Sequence, residues 1–130
     1  MIPIRTLADI RAMPRTVDRK RAQAVMIWNS PFMFQHRDTL IGAVAHRLPV
    51  IDDLHKSAEA GAVLTYSADW LDMFRRSAAY VDKILKGAKP GDLPIEQPIK
   101  FTLVVNLKTA KALGIKVPES ILVRADEIIR

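Results

Sequence analysis

Four short apolar runs, Ala24–Trp28, Leu48–Ile51, Ala62–Tyr66 and Phe101–Val105, are separated by segments whose apolar residues recur at helical spacing. Runs of about five residues bounded by turn residues suit buried strands better than helices. Asn29-Ser30-Pro31 closes the first run and Asp52-Asp53 the second. Strands of this kind alternating with helices imply an α/β fold, with a mostly parallel sheet flanked by helices.

The clearest helix runs from Asp69 to Lys86. Trp70, Phe74, Ser77, Ala78, Val81 and Leu85 form one stripe, and Leu71 and Ile84 widen it. Gly87 stands where a helix should stop, with Pro90 just beyond. Weaker periodicity predicts helices over Asp38–His46, Leu54–Ala60 (ended by Gly61) and Leu107–Leu113 (ended by Gly114). Pro118 is placed to open a last helix, Glu119–Ile129. Near the N-terminus, Leu7, Ile10 and Arg11 suggest a short turn that Pro14 interrupts, and Asp18 suits the cap of another through Ala22. Lys89–Pro98, with three prolines and a glycine, is a connector too short to separate two domains. The expectation is a single α/β domain over residues 1–130.

Several function classes fall away. Without cysteine there is no disulfide, no thiol catalysis and no cysteine metal site. No apolar run approaches the ~20 residues that span a bilayer, and Met1–Arg5 lacks the layout of a secretory signal, so the chain as written reads as cytoplasmic. The net charge of +6 raises the question of nucleic acid. Yet only Arg15, Arg19, Lys20 and Arg21 cluster, with no Gly/aromatic RNA pattern and no Cys/His finger, so a solvated helical face is the better reading. His36, His46 and His55 lack metal-site spacing, and the five glycines form neither GxGxxG nor a P-loop. Glu59 and Glu96 lie on different elements, with nothing to pair them for acid–base work. No cofactor, no metal and no enzymatic chemistry are expected.

Ligands of open α/β sheets bind beyond the carboxyl ends of strands. The polar residues at those ends are Asn29 and Ser30 with Phe32 nearby, Asp52 and Asp53, and Tyr66 and Ser67. Asn29 and Ser30 suit a ligand carboxylate or amine; a turn before Pro31 is the competing role. Asp52 and Asp53 suit a ligand ammonium, against a cap for the helix after Leu54. Asp69 reads as the cap of the long helix. Phe32 or Trp28 suits stacking on an aromatic ligand, with core packing as the alternative.

From Tyr80 to Asp126 the sequence resembles the C-terminal signature of ABC transporter substrate-binding proteins, the family that includes binders of tryptophan and other aromatic amino acids. Three pieces carry it. Ile84-Leu85-Lys86-Gly87 leads to Lys89-Pro90 and Asp92-Leu93-Pro94. Glu96-Gln97-Pro98 precedes a strand closing in Val105-Asn106-Leu107-Lys108. Ala110-Lys111-Ala112-Leu113-Gly114 leads to Val117-Pro118. Weaker likeness extends upstream through Glu59–Tyr66, Arg47–Ile51 and Ala24–Arg37 to about residue 18. Ala62 and Ser67 stand where the family commonly has glycine, and Asp52-Asp53 is more acidic than its pattern.

The resemblance implies the C-terminal part of a two-lobed periplasmic binding protein, one lobe plus a crossover helix. It further implies a small solute such as an amino acid in an interlobe cleft, an ABC permease as partner, and a periplasmic or lipoprotein location. Nucleic acid is not an implied partner. The alternative is a stand-alone ligand-sensing or interaction half-fold that pairs with itself or another chain through the face left by the missing lobe.

Overall fold

The computed structural model describes residues 1–28 and 30–130. Residues 1–67 with 102–130 form one compact unit and residues 68–101 a second.

In the first unit, helix α1 (Leu7–Arg19) starts at a capping box. Asp9 N donates to Thr6 Oγ1, and the Asp9 carboxylate accepts from Thr6 N. The backbone N–H groups of Arg5 and Thr6 and the Thr6 hydroxyl hold that carboxyl below its ordinary range. Pro14 lies inside this helix rather than ending it. Proline removes the donor that would reach Ile10 O. The cap and the burial of Ile10, Met13 and Val17 on one face offset that loss, so the interrupted turn expected here is one continuous helix.

Strand β1 (Val25–Met26) is followed by helix α2 (Pro31–Val44), which begins seven residues before the expected Asp38. Ser30 caps it by accepting from Met33 N at 3.2 Å, and Pro31 takes the first helical position. What reads as a turn signal is thus a helix start. A kink at His36 (φ −110°, ψ 17°) marks where the regular stripe resumes. Strand β2 (Val50–Asp52) leads to a single 3-10 turn, His55–Ser57, in place of the expected Leu54–Ala60 helix. Gly61 at φ +114° then turns the chain against α2, where an added Cβ would meet Ala45 Cβ at 3.6 Å.

Strand β3 spans Leu64–Ala68, β4 Phe101–Asn106 and helix α4 Leu107–Ala112. The expected helix over Glu119–Ile129 is overturned. Only Glu119–Leu122 is helical (α5), and Glu127–Ile129 is a strand, β5. Asp126 starts it: its N–H donates to Leu103 O at 2.9 Å and its carboxylate accepts from Leu103 N at 2.7 Å. That reciprocal pair commits the chain to the sheet.

The sheet order is β1-β2-β3-β4-β5, and the pairs β1/β2, β2/β3 and β4/β5 are parallel. Val25 stands opposite Val50 and Ile51 opposite Leu64. Ile10, Met13 and Val17 from α1 and Leu40, Ile41 and Val44 from α2 pack with Ile27, Val50 and Ala62 into the core.

The second unit is helix α3 (Trp70–Leu85) with a proline-rich strap. The helix matches the expected span within a residue at each end, and Asp69 caps it by accepting from Asp72 N at 3.0 Å. Gly87 follows at φ +100°. Tyr80 donates to Pro94 O at 2.6 Å, and Arg76 bonds the Glu96 carboxylate and Gln97 O, so the strap is tied along the helix. The same Arg76 guanidinium holds the Glu96 carboxyl below its ordinary range. For all its amphipathic pattern, α3 buries none of its residues: Phe74 is 68 % exposed and Leu85 81 %.

Candidate functional site

Parallel pairing of β1, β2 and β3 sends the chain out of all three strands at one edge of the sheet. Ser30 and Asp53 follow β1 and β2 at that edge, Asp52 ends β2, and Tyr66 and Ser67 lie within the last residues of β3. Asn29 lies outside the described residues.

Ser30 is half-buried, and its oxygen serves as the α2 cap. One acceptor position is used there, and the hydroxyl keeps its proton for donation. Phe32, half-buried, tilts against His36 with ring centroids 4.6 Å apart and packs on the core. Trp28, by contrast, is 77 % exposed immediately after β1. Of the two aromatics weighed for stacking on a ligand, Trp28 has the open face.

The two aspartates divide sharply. Asp52 is 2 % exposed; one carboxylate oxygen accepts from Ser57 Oγ and the other from Asp53 N at 2.8 Å. Neither aspartate is the cap weighed from sequence: Leu54 is the N-cap of the 3-10 turn His55–Ser57, with no side-chain cap. Asp52 instead ties the loop shut. Burial pushes its carboxyl above the ordinary range, against the Ser57 hydroxyl and the Asp53 N–H, and the adjoining Asp53 carboxyl raises it further. Asp53 itself is exposed.

On β3, Thr65 and Ser67 point inward and Tyr66, 55 % exposed, points to the opposite face. Thr65 stands in register beside Asp52. Its buried hydroxyl has no hydrogen-bond partner among the described residues. Asn106 is buried at the end of β4, where it caps α4 by accepting from Thr109 N at 2.9 Å and donates to Ala58 O at 2.8 Å. His55 Nε2 lies 3.0 Å from the Glu127 carboxylate on β5. Ser57, Thr65 and Asn106 were not singled out from sequence, although Asn106 directly follows the apolar run of β4.

The loop geometry implies a pH dependence. Asp52 has a folded-state pKa above its ordinary 3.8, so the protonated form is the one that folding favours. Its contribution to stability is complete below the unfolded value and is lost as pH rises through the folded value. Asp52→Asn, which keeps an acceptor for Asp53 N and gains a donor for Ser57, is expected to melt higher than the parent at neutral pH. The gap should close as pH is lowered through the carboxyl range. Melting curves of both proteins across that range check this, and a variant that melts lower at neutral pH would refute it.

Among the described residues no cluster of His, Asp and Glu suits a metal ion, and no helix is long and apolar enough to cross a membrane. No curated protein sequence matches the chain. Solved structures do. A conserved domain protein from Vibrio cholerae O1 biovar El Tor strain N16961 aligns with 93 % of this chain at a TM-score of 0.83 and 26 % identity, and the chain covers 41 % of that protein. A Streptococcus pneumoniae ABC domain solved in complex with L-Trp aligns with 94 % of the chain at a TM-score of 0.78 and 24 % identity, again over 41 % of its own length. A substrate-binding protein with adhesive properties from Clostridium difficile, solved ligand-free and open, aligns at 0.67 and 17 % identity, over 97 % of this chain and 42 % of its own. The last two likenesses are of fold alone. The chain thus spans about two fifths of these relatives, and its sheet and helices match one lobe of the periplasmic-binding-protein fold. The model of the ABC transporter substrate binding protein family matches residues 2–129, so the chain belongs to that family.

Proposed function

We propose that this chain is part of the solute-binding component of an ABC transporter, and that its solute is a small molecule such as an amino acid. The observation that carries the reading is the family match over residues 2–129. The edge where β1, β2 and β3 end supports it, because Ser30, Asp53 and the exposed Trp28 indole supply a hydroxyl, a carboxylate and a stacking face there. A carboxylate suits the ammonium of an amino acid, and an indole suits an aromatic side chain. The L-Trp of the pneumococcal relative is a solute of that kind.

The mechanism is enclosure, with no covalent chemistry. A second lobe closes on the solute by hinge motion, excludes water and presents the closed form to a permease. In that setting the apolar stripe of α3 packs against the rest of the two-lobed protein, at the periplasmic face of the membrane or on a lipoprotein anchor. A second reading, a chain that pairs with itself through this stripe, rests on the absence of any buried residue in α3.

The test is titration calorimetry with L-tryptophan and a panel of other amino acids, on two proteins: the 130-residue chain, and the chain joined to the remaining segment of the Vibrio cholerae relative. The two-lobed protein is expected to bind a member of the panel at micromolar concentration, and the chain alone none of them. Light scattering reports whether the chain alone is a monomer. Micromolar binding by the monomer would refute the two-walled site. Binding only by a dimer would establish the second reading. A folded two-lobed protein that binds nothing in the panel would remove amino acids as the solute.

A further inference from the structure

Helix α1 carries a stripe of charge that the solute site does not use. Arg11, Arg15 and Arg19 repeat every four residues, all exposed, and Lys20 and Arg21 extend the row beyond the helix end, also exposed. Successive members drift only about 40° around the axis, so the three helical arginines span about 12 Å along one face. Among the described residues none of the five forms an ion pair. The two nearby acids are engaged elsewhere: Asp9 in the capping box and Asp18 with Arg47 at 2.9 Å. These five cations nearly equal the net charge of +6 of the whole chain.

The helix dipole accounts for Arg19 and Lys20 near the C-terminus, but not for Arg11 or Arg15 in the first two turns and the middle. Arg21 adopts φ +50°, the left-handed position after a helix where glycine is the ordinary residue.

We infer that this face of α1 docks the protein on an anionic phospholipid surface. The opposite face, Ile10, Met13 and Val17, is buried in the core, so the helix cannot insert its apolar side into lipid and must lie flat. None of the aromatic residues that would stack on single-stranded bases lies on α1. A flat row of cations on a rigid body complements a planar anionic surface, with attraction that grows with each added basic residue.

The test is co-sedimentation of the 130-residue chain with phosphatidylglycerol–phosphatidylcholine vesicles and with pure phosphatidylcholine vesicles, at low and high salt. Binding is expected to the anionic vesicles only, and to fade at high salt. The triple variant Arg11→Gln/Arg15→Gln/Arg19→Gln keeps helix-forming residues and is expected to bind at least about tenfold more weakly. A control that removes the same charge elsewhere, Lys108→Gln/Lys111→Gln/Lys116→Gln, is expected to retain most of the binding. The inference fails if the chain ignores anionic vesicles, if it binds neutral ones equally, or if both triple variants lose binding alike. It also fails if the chain binds duplex DNA more tightly than the vesicles in the same buffer.

Discussion

Truncating Ile41 to alanine is expected to lower the unfolding free energy of the chain by about 2–5 kcal/mol, whereas Phe74→Ala changes it by less than about 0.5 kcal/mol. Ile41 is fully buried at the centre of the α1/α2 core, between Leu40 and Val44. An added Cβ on Gly61 would lie 3.8 Å from Ile41 Cγ2, so the β3 approach packs directly on this side chain and cannot readily collapse into the space it leaves. Phe74 is 68 % exposed on α3. Urea unfolding of both variants checks the pair of values, and equal losses would mean that α3 is packed in solution. In a two-lobed protein the order changes: Phe74→Ala is then expected to cost about 3–5 kcal/mol, as truncation of a buried phenylalanine does.

The sequence marks the α3 stripe as apolar without showing what covers it, and the reason is physical. Periodicity reports that a helix has an apolar side, not what lies against it. The Trp70–Leu85 helix was therefore legible to within a residue at each end, with Asp69 and Gly87 as its stops, while its exposure was not. Where local signals agreed with tertiary packing, as in the strands around Val50, Leu64 and Val104, the elements and their parallel sense could be read directly. Where a single residue carried two meanings, the reading failed. Pro14 weakens a helix locally, but the capping box and the buried Ile10, Met13 and Val17 outweigh it. Ser30-Pro31 signals both a turn and a helix start, and the half-buried Phe32 and Met33, which pack on the core, select the helix. Glu127–Ile129 is short enough to continue a helix, and only the pairing of Asp126 with Leu103, distant in sequence, makes it a strand.

The strand-end residues were legible for the same reason that the strands were: parallel neighbours joined by a helix must release their loops at one edge. The division of labour among them was not. Asp52 and Asp53 are chemically identical in sequence, yet alternation along β2 turns Asp52 inward to Ser57, while Asp53, just past the strand, is exposed. Thr65 and Asn106 are polar and buried, and their positions beside Asp52 and Ala58 depend on residues distant in sequence.

That division changes what mutations in the loops should do. In the two-lobed protein, Asp53→Asn is expected to weaken solute binding about ten- to a hundred-fold, the loss of one charge-assisted hydrogen bond of roughly 1.5–3 kcal/mol. The unliganded protein should melt no lower, because Asp53 is exposed and its carboxyl disfavours the neighbouring buried Asp52 carboxylate. Ser30→Ala should behave differently. Its oxygen caps α2, so the unliganded protein should lose about 1 kcal/mol whether or not the hydroxyl also reaches the solute. The informative comparison is therefore Ser30→Ala with Ser30→Asp, which keeps the cap acceptor and removes the hydroxyl donor. If the hydroxyl donates to a solute carboxylate, Ser30→Asp restores stability and still fails to bind, since it sets a second carboxylate against the first. If Ser30 is a cap and nothing more, Ser30→Asp recovers both stability and affinity. Calorimetry and melting curves on the same three proteins separate these outcomes. Full affinity in both Asp53→Asn and Ser30→Asp would move the solute away from this edge of the sheet.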